Sequence, residues 1–308
     1  MSGTPDLGPP PERIEVSTAQ ARRLVEEQCP QWANLRIEPV ANGGWDNRTF
    51  HLGTDMLIRL PSAAEYAEAV DKEQRWLRAL APQLPLPIPV PLAQGKPNAE
   101  YPYPWSVYRW IDGETAKADR ISDPVEFAVD LAEFLAALQG VETAGGPAPG
   151  VHNWFRGGTL RTYDGMTRRA LESLHAYIDV ALARDAWEHA LATPWDGVDR
   201  WFHGDIAEGN LLLENGQLSA VIDFGTCGIG DPACDLAIAW TLLTAEGRQA
   251  FRSGLSVDSD SWVRGRGWAL WKALVTCSYT YDDPDDAEDF ASARRTVHEI
   301  CADYSANG

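Results

Sequence analysis

Positive charge is what this sequence has least of. Its 308 residues carry 26 lysines and arginines against 45 aspartates and glutamates, a formal charge of −19. A field of that sign repels phosphate backbones and anionic lipid, so neither nucleic acid nor a membrane is expected as a partner; it attracts cationic small molecules. The five cysteines (29, 227, 234, 277 and 301) are scattered and form no C-x-x-C pair. That pattern offers neither a disulfide framework nor a zinc site and fits reduced thiols in a cytoplasmic protein. Long apolar runs are missing too. The best, Cys234–Ala245, is interrupted by Asp235, Thr241 and Thr244 and falls short of the roughly 20 residues a bilayer requires. Residues 1–13 hold Asp6, Glu12 and three consecutive prolines with no apolar stretch, unlike a signal peptide. No G-x-x-x-x-G-K-[ST] segment occurs, which excludes a P-loop.

What is present divides at about residue 110. After a polar leader (1–15), Ser17–Cys29 has helix chemistry, with Ser17 or Thr18 as N-cap and Ala21, Leu24 and Val25 facing inward. Asn34–Val40, Thr49–Leu52 and Met56–Leu60 are expected as strands, and Ala63–Leu80 as an amphipathic helix with Val70, Glu73, Leu77 and Leu80 near one face. Proline punctuates 82–104 and forbids helix there. Ser106–Trp110 has strand composition, and Ile111-Asp112-Gly113 ends it with turn chemistry. Beyond, helical spacing prevails over Glu126–Leu138, Met166–Leu182 and Ala186–Ala192. The expected layout is a small mixed α/β lobe over 16–106, a linker at 107–111 and a larger, mainly helical lobe over 112–308.

One segment breaks the helical pattern and carries the chemistry. Leu211–Leu213 and Leu218–Ile222 flank Glu214-Asn215-Gly216-Gln217, and Asn-Gly between apolar runs is a strong hairpin signal because both positions tolerate positive φ. His203-Gly204-Asp205 and Asn210 precede this hairpin and Asp223-Phe224-Gly225 follows it. A hairpin brings its ends together, so Asp205, Asn210 and Asp223 are expected to converge. Carboxylate and carboxamide oxygens are hard ligands suited to Mg²⁺. A catalytic-loop Asp with a metal-binding Asn and Asp is the arrangement kinases use for phosphoryl transfer. His203 is expected to support the loop rather than carry a proton. Gly228–Ala233 matches G-x-G-x-x-A, but neither a second parallel strand nor the acidic residue of a dinucleotide site follows. Asp231 and Asp235 read as capping and bracing groups, and Tyr281–Asp289 as a solvated acidic loop.

HGDIAEGNLLL, AVIDFG and GDPACDLA resemble the signature blocks of the aminoglycoside phosphotransferase family of kinase-like small-molecule kinases, and the similarity extends over most of residues 30–275. The resemblance implies an α+β, two-lobed protein-kinase-like fold, with Asp205 as catalytic base or orienting carboxylate and Asn210 and Asp223 binding Mg²⁺. The backbone of Val107, Arg109 and Ile111 would hold the adenine of ATP, or the base of GTP. Arg59 stands where the kinase pattern has a phosphate-binding lysine, with Glu73 as its helix partner. The segment 42–47, with Gly43 and Gly44, would cover the phosphates. The implied reaction moves the γ-phosphoryl group to a hydroxyl of a small, cationic acceptor, with an aminoglycoside-type antibiotic first. A macrolide, a peptide antibiotic or a metabolite such as choline or a sugar stays open, as does a nucleotide-binding protein without activity. No room follows Asp223-Phe224-Gly225 for a peptide-docking activation loop.

Overall fold

In a computed structural model, residues 11–41 and 44–307 are described. The chain opens with helix α1 (Thr18–Gln28), started by a reciprocal capping box in which Ser17 accepts from the Gln20 N–H and Gln20 reaches back. Strands β1 (Ile37–Pro39), β2 (Asn47–Leu52) and β3 (Met56–Pro61) lead into helix α2 (Ala64–Leu80), and β4 (Pro91–Gly95) and β5 (Trp105–Arg109) complete the lobe. The five strands form one antiparallel sheet in the order β1-β2-β3-β5-β4. The first strand is shorter than Asn34–Val40, because a 3₁₀ turn at Pro30–Trp32 extends to Leu35, whose N–H is used by the Trp32 carbonyl.

Period-2 alternation in β3 buries Met56, Ile58 and Leu60 beneath the sheet. They join Leu24, Val25, Phe50, Trp105 and Val107 in the core of the small lobe. The segment 107–111 begins inside β5: Val107 pairs with Ile58 on one side and Ala93 on the other.

The larger lobe begins at β6 (Glu114–Thr115) and α3 (Pro124–Gln139), whose cap Asp123 accepts two N–H groups. Helices α4 (Asp164–Ser173) and α5 (Val180–Ala192) follow. The sequence reading ran one helix through Met166–Leu182. The chain instead breaks after Ser173 and restarts at Val180, because Asp179 turns its carboxylate onto the Leu182 N–H and caps a new helix. Strand β7 (Arg200–Phe202) leads to hairpin β8 (Leu211–Glu214) and β9 (Gln217–Val221), and β10 (Gly228–Gly230) returns antiparallel to β7. A 3₁₀ turn at Pro232–Ala237 leads into α6 (Ile238–Thr241), and α7 (Ala245–Gly254), α8 (Ser259–Thr280) and α9 (Ala287–Asn307) finish the described chain.

One apolar cluster spans this lobe and takes in Leu77, Leu80 and Tyr108 from the small lobe. Each buried leucine contributes about 1.5–3 kcal/mol, so the end of α2 is fixed onto the larger lobe and Glu73 is placed over the cleft. All five cysteines are free and buried. Among the described residues, no helix is long and apolar enough to cross a membrane.

Candidate active site

The hairpin turns at Asn215 (φ 53°) and Gly216 (φ 81°), as the Asn-Gly pair dictates. Its ends are tied by the Ile222 N–H on the Asn210 carbonyl, 2.8 Å, so Asp223 lies beside the loop that carries Asp205. That loop leaves β7 through Gly204 (φ 88°), where a Cβ would sit 2.8 Å from the Thr226 carbonyl oxygen. Only glycine fits there, so Gly204 takes the middle place of the triplet. The buried Asp235 carboxylate accepts the N–H groups of His203 (2.8 Å) and Gly204 (2.7 Å). His203 Nδ1 accepts from the Asp205 N–H, which leaves Nε2–H to donate to the Ile222 carbonyl. Both ring nitrogens are thus engaged, and the ring packs edge-on against Phe224; it supports the loop. Arg156 braces the other side, donating from Nε to the Gly204 carbonyl and lying over the Trp271 ring.

Asn210 Nδ2 donates to the backbone carbonyl (2.9 Å) and the carboxylate (3.1 Å) of Asp205. Its amide oxygen therefore points away from that carboxylate. Across the cleft, Arg59 on β3 donates to Glu73 Oε1 (3.3 Å) and Asp223 Oδ1 (2.8 Å). The Tyr108 hydroxyl donates to the other Glu73 oxygen, 2.6 Å. Burial disfavours charge on Arg59, but Asp223 and Glu73 outweigh it and raise its pKa, so the guanidinium is a fixed positive charge. Arg59, Glu73 and Asp223 thus form one linked unit, and Asp205 and Asn210 another.

The remaining sequence-derived positions lie apart from these two units. Val107 is buried in the sheet. The Arg109 N–H is used by the Val90 carbonyl and the Trp110 N–H by Asp55, and Ile111 follows the strand, half-buried. Gly44 has open space around it, and Gly43 lies outside the described residues.

The sequence reading missed four groups. Asp46 lines the small cavity between Arg59, Glu73 and Gly225; burial, then the Asp223 charge, raises its carboxyl to about 7. Lys72, next to Glu73 but directed at the larger lobe, is buried with its ammonium on the carbonyls of Gly225 (2.6 Å) and Cys227 (3.1 Å). It ties α2 to the segment after Asp223, and burial lowers its pKa. Lys272 on α8 donates to Asp205 Oδ1 at 2.7 Å. Burial pushes the Asp205 carboxyl up, yet the Lys272 charge and hydrogen bond prevail and hold it at about 2. Arg156 is the fourth. The sequence does hold a signal for the two lysines: it has only four lysines in all, and these two fall in helical segments, Lys272 between Trp271 and Ala273-Leu274.

The site's oxygens fit Mg²⁺. Asp223 gives one carboxylate oxygen to Arg59 and keeps the other, and Asn210 turns its amide oxygen outward. One carboxylate and one carboxamide make a partial hard-oxygen set, of the kind that substrate phosphates and water complete. Among the described residues, no group of three or more His, Cys, Asp or Glu side chains would hold a metal alone.

The fold recurs in solved structures. The GDP complex of aminoglycoside 2'-phosphotransferase-IIIa superposes with a TM-score of 0.71 at 17% identity, covering 94% of this chain and 100% of that one. The streptomycin–ATP ternary complex of APH(2")-IIa gives 0.59 at 15%, covering 93% and 99%. Macrolide 2'-phosphotransferase MphH from Brachybacterium faecium gives 0.56 at 21%, covering 89% and 97%. No curated protein sequence matches the chain. The sequence profile of the phosphotransferase enzyme family (APH) matches residues 36–273, from β1 into α8 and with every residue of the two linked units, and the chain belongs to that family.

Proposed function

We propose that the enzyme transfers the γ-phosphoryl group of ATP or GTP, as its Mg²⁺ complex, to a hydroxyl of a small molecule in the cytoplasm. An aminoglycoside-type antibiotic is the first acceptor class to try, which would make the enzyme a resistance determinant. Macrolides, peptide antibiotics and metabolites such as choline or a sugar come next. The observation that carries the reading is the pairing across one cleft of Arg59–Asp223 (2.8 Å) with Asn210–Asp205 (3.1 Å). These are the cation, the metal oxygens and the carboxylate that phosphoryl transfer needs.

In this reading, Asp223 and Asn210 would hold Mg²⁺, which would supply charge neutralisation for the phosphates. Arg59, kept in place by Glu73, faces the phosphates, and the segment 42–47 with Gly43 and Gly44 covers them. The base lies against the linker at Val107, Arg109 and Ile111, between a nucleotide lobe (16–106) and an acceptor lobe (112–308). Asp205 orients the acceptor hydroxyl and takes its proton. A carboxyl near 2 is a weak base, which suits a loose transition state in which the hydroxyl proton leaves late. Catalysis is then mainly alignment and charge neutralisation.

The experiment is a transfer screen: purified protein, Mg²⁺ and ATP or GTP with aminoglycosides, macrolides, peptide antibiotics and metabolites, products read by mass spectrometry. A phosphorylated acceptor is expected, and Asp205→Ala should abolish it while leaving nucleotide binding intact. Wild-type turnover in that variant would falsify the role given to Asp205.

A further inference from the structure

The charge of the whole chain is −19, yet one cation, Lys272, stands directly against Asp205. The Lys272 ammonium lies 2.7 Å from Asp205 Oδ1, and the two side chains are half-buried, 41% and 37% exposed. The pair is therefore reachable from solvent. Lys272 comes from α8, in the lobe away from the phosphate-facing Arg59. One and two turns further along α8, Val275 and Tyr279 line a surface groove with Met166 and Arg169 of α4. Arg169 is the one charged residue in that lining among the described residues. The other acid of the catalytic loop, Glu208, feels the charges of Lys117 and Asp119. No carboxylate of the described residues lines that groove.

We infer that Lys272 selects the acceptor, and that the hydroxyl phosphorylated is one whose neighbouring substituents are neutral or anionic rather than ammonium. The inference rests on the phosphotransfer reading and narrows it. The acceptor oxygen forms its bond to the γ-phosphorus as the β–γ bridging bond breaks; the nucleoside diphosphate leaves, and the hydroxyl proton passes to Asp205. To do so, the hydroxyl must sit within about 2.8 Å of the carboxylate that Lys272 already holds. A substituent on the adjacent carbon then comes within a few ångströms of a fixed ammonium. Once the hydroxyl proton neutralises Asp205, the Lys272 charge is no longer offset, and an ammonium there meets like charge at a distance where screening by salt is weak; a hydroxyl, amide or carboxylate does not. On a polycationic molecule, the hydroxyl taken is one remote from the amines.

The test compares acceptors that differ only in this charge. Each amine-bearing compound that the wild-type enzyme phosphorylates, beginning with kanamycin and glucosamine as probes, is assayed beside its N-acetylated form, and the phosphate is located by NMR. Wild type should favour the uncharged partner at least tenfold in kcat/KM and place the phosphate away from any remaining ammonium. Lys272→Met should bring the two within about threefold, Lys272→Glu should reverse the preference, and Lys272→Arg should keep it. A merely structural lysine would lower both rates alike and leave their ratio unchanged. That unchanged ratio overturns the inference, as does a wild-type product phosphorylated next to an ammonium. The product position needs no variant, so misfolding of Lys272→Met leaves the test standing. Transfer to no acceptor of either kind overturns the phosphotransfer reading itself, and the inference falls with it.

Discussion

Asp235 is the side chain on which the catalytic loop hangs, and replacing it by asparagine gives a clean test of the site's construction. Its carboxylate is fully buried and accepts two N–H groups, from His203 and Gly204. Asparagine has the same shape but offers one oxygen, so its NH₂ is forced against the second N–H. The variant loses one charge-assisted hydrogen bond, worth about 1.5–3 kcal/mol, and buries one unpaired N–H, costing about 1–3 kcal/mol. Burial raises the Asp235 pKa, so placing a charge there carries a penalty that the neutral amide avoids. The net loss is then about 2–4 kcal/mol. At about 2 °C per kcal/mol for a chain of this size, Tm falls about 4–8 °C. Gly204 is one peptide bond from Asp205, and a displacement of about 1 Å there lowers turnover about 100-fold. Thermal melts give the first number, and single-acceptor kinetics at a temperature well below both melting points give the second. An Asp235→Asn enzyme that melts within about 1 °C of wild type and turns over normally would show that the two hydrogen bonds do not set the loop.

Three further outcomes follow from neighbouring groups. Arg59→Ala leaves the buried Glu73 without its cation and should destabilise by about 3–5 kcal/mol, as read by urea unfolding. Arg59→Lys should restore much of the turnover with a raised nucleotide KM, because one ammonium cannot serve both Glu73 and Asp223; identical, normal behaviour of both variants would reduce Arg59 to a surface pair. Lys72→Met strips the Gly225 and Cys227 carbonyls of their donor and should weaken Mg²⁺-dependent nucleotide binding more than metal-free binding, measured by calorimetry; equal weakening would contradict the tie between α2 and the Asp223 segment. Asp46, raised to about 7 from 3.8, binds its proton more tightly in the native state than in the unfolded one. Its contribution is complete below about pH 4 and is lost as pH rises through about 7. Asp46→Asn should flatten the fall of Tm between pH 5 and 8, and an unchanged slope would remove Asp46 as its source.

Much of the site is legible along the chain because its parts are local. Asn215-Gly216 specifies the turn whatever surrounds it, and the hairpin then brings Asp223 to Asn210 without help from distant elements. Ser17 and Asp231 cap the helical segments they precede for the same reason. The break between α4 and α5 is less legible, since Leu171, Leu174, Ile178 and Leu182 keep a helical period across it. The period records which side faces the core, and the Asp179 cap decides where the helix restarts. The linker is ambiguous for a related reason: residues 107–109 have strand composition, and only pairing to both β3 and β4 determines how far β5 runs.

By itself, then, the sequence determined the antiparallel hairpin and the placing of Asp223 beside the loop that carries Asp205 and Asn210, both of which depend on separations of about 20 residues or fewer. The pairing of Arg59 with Glu73 also followed, through the resemblance of its surroundings to a kinase-like lobe. Only the tertiary structure decided what the Asp205 carboxylate sees. Lys272 is 67 positions from Asp205, Lys72 is 153 from Gly225 and Arg59 is 164 from Asp223. No periodicity or spacing encodes such pairs. They arise because β3, α2 and α8 pack by their apolar faces, and that packing, indifferent to charge, delivers each cation to its partner.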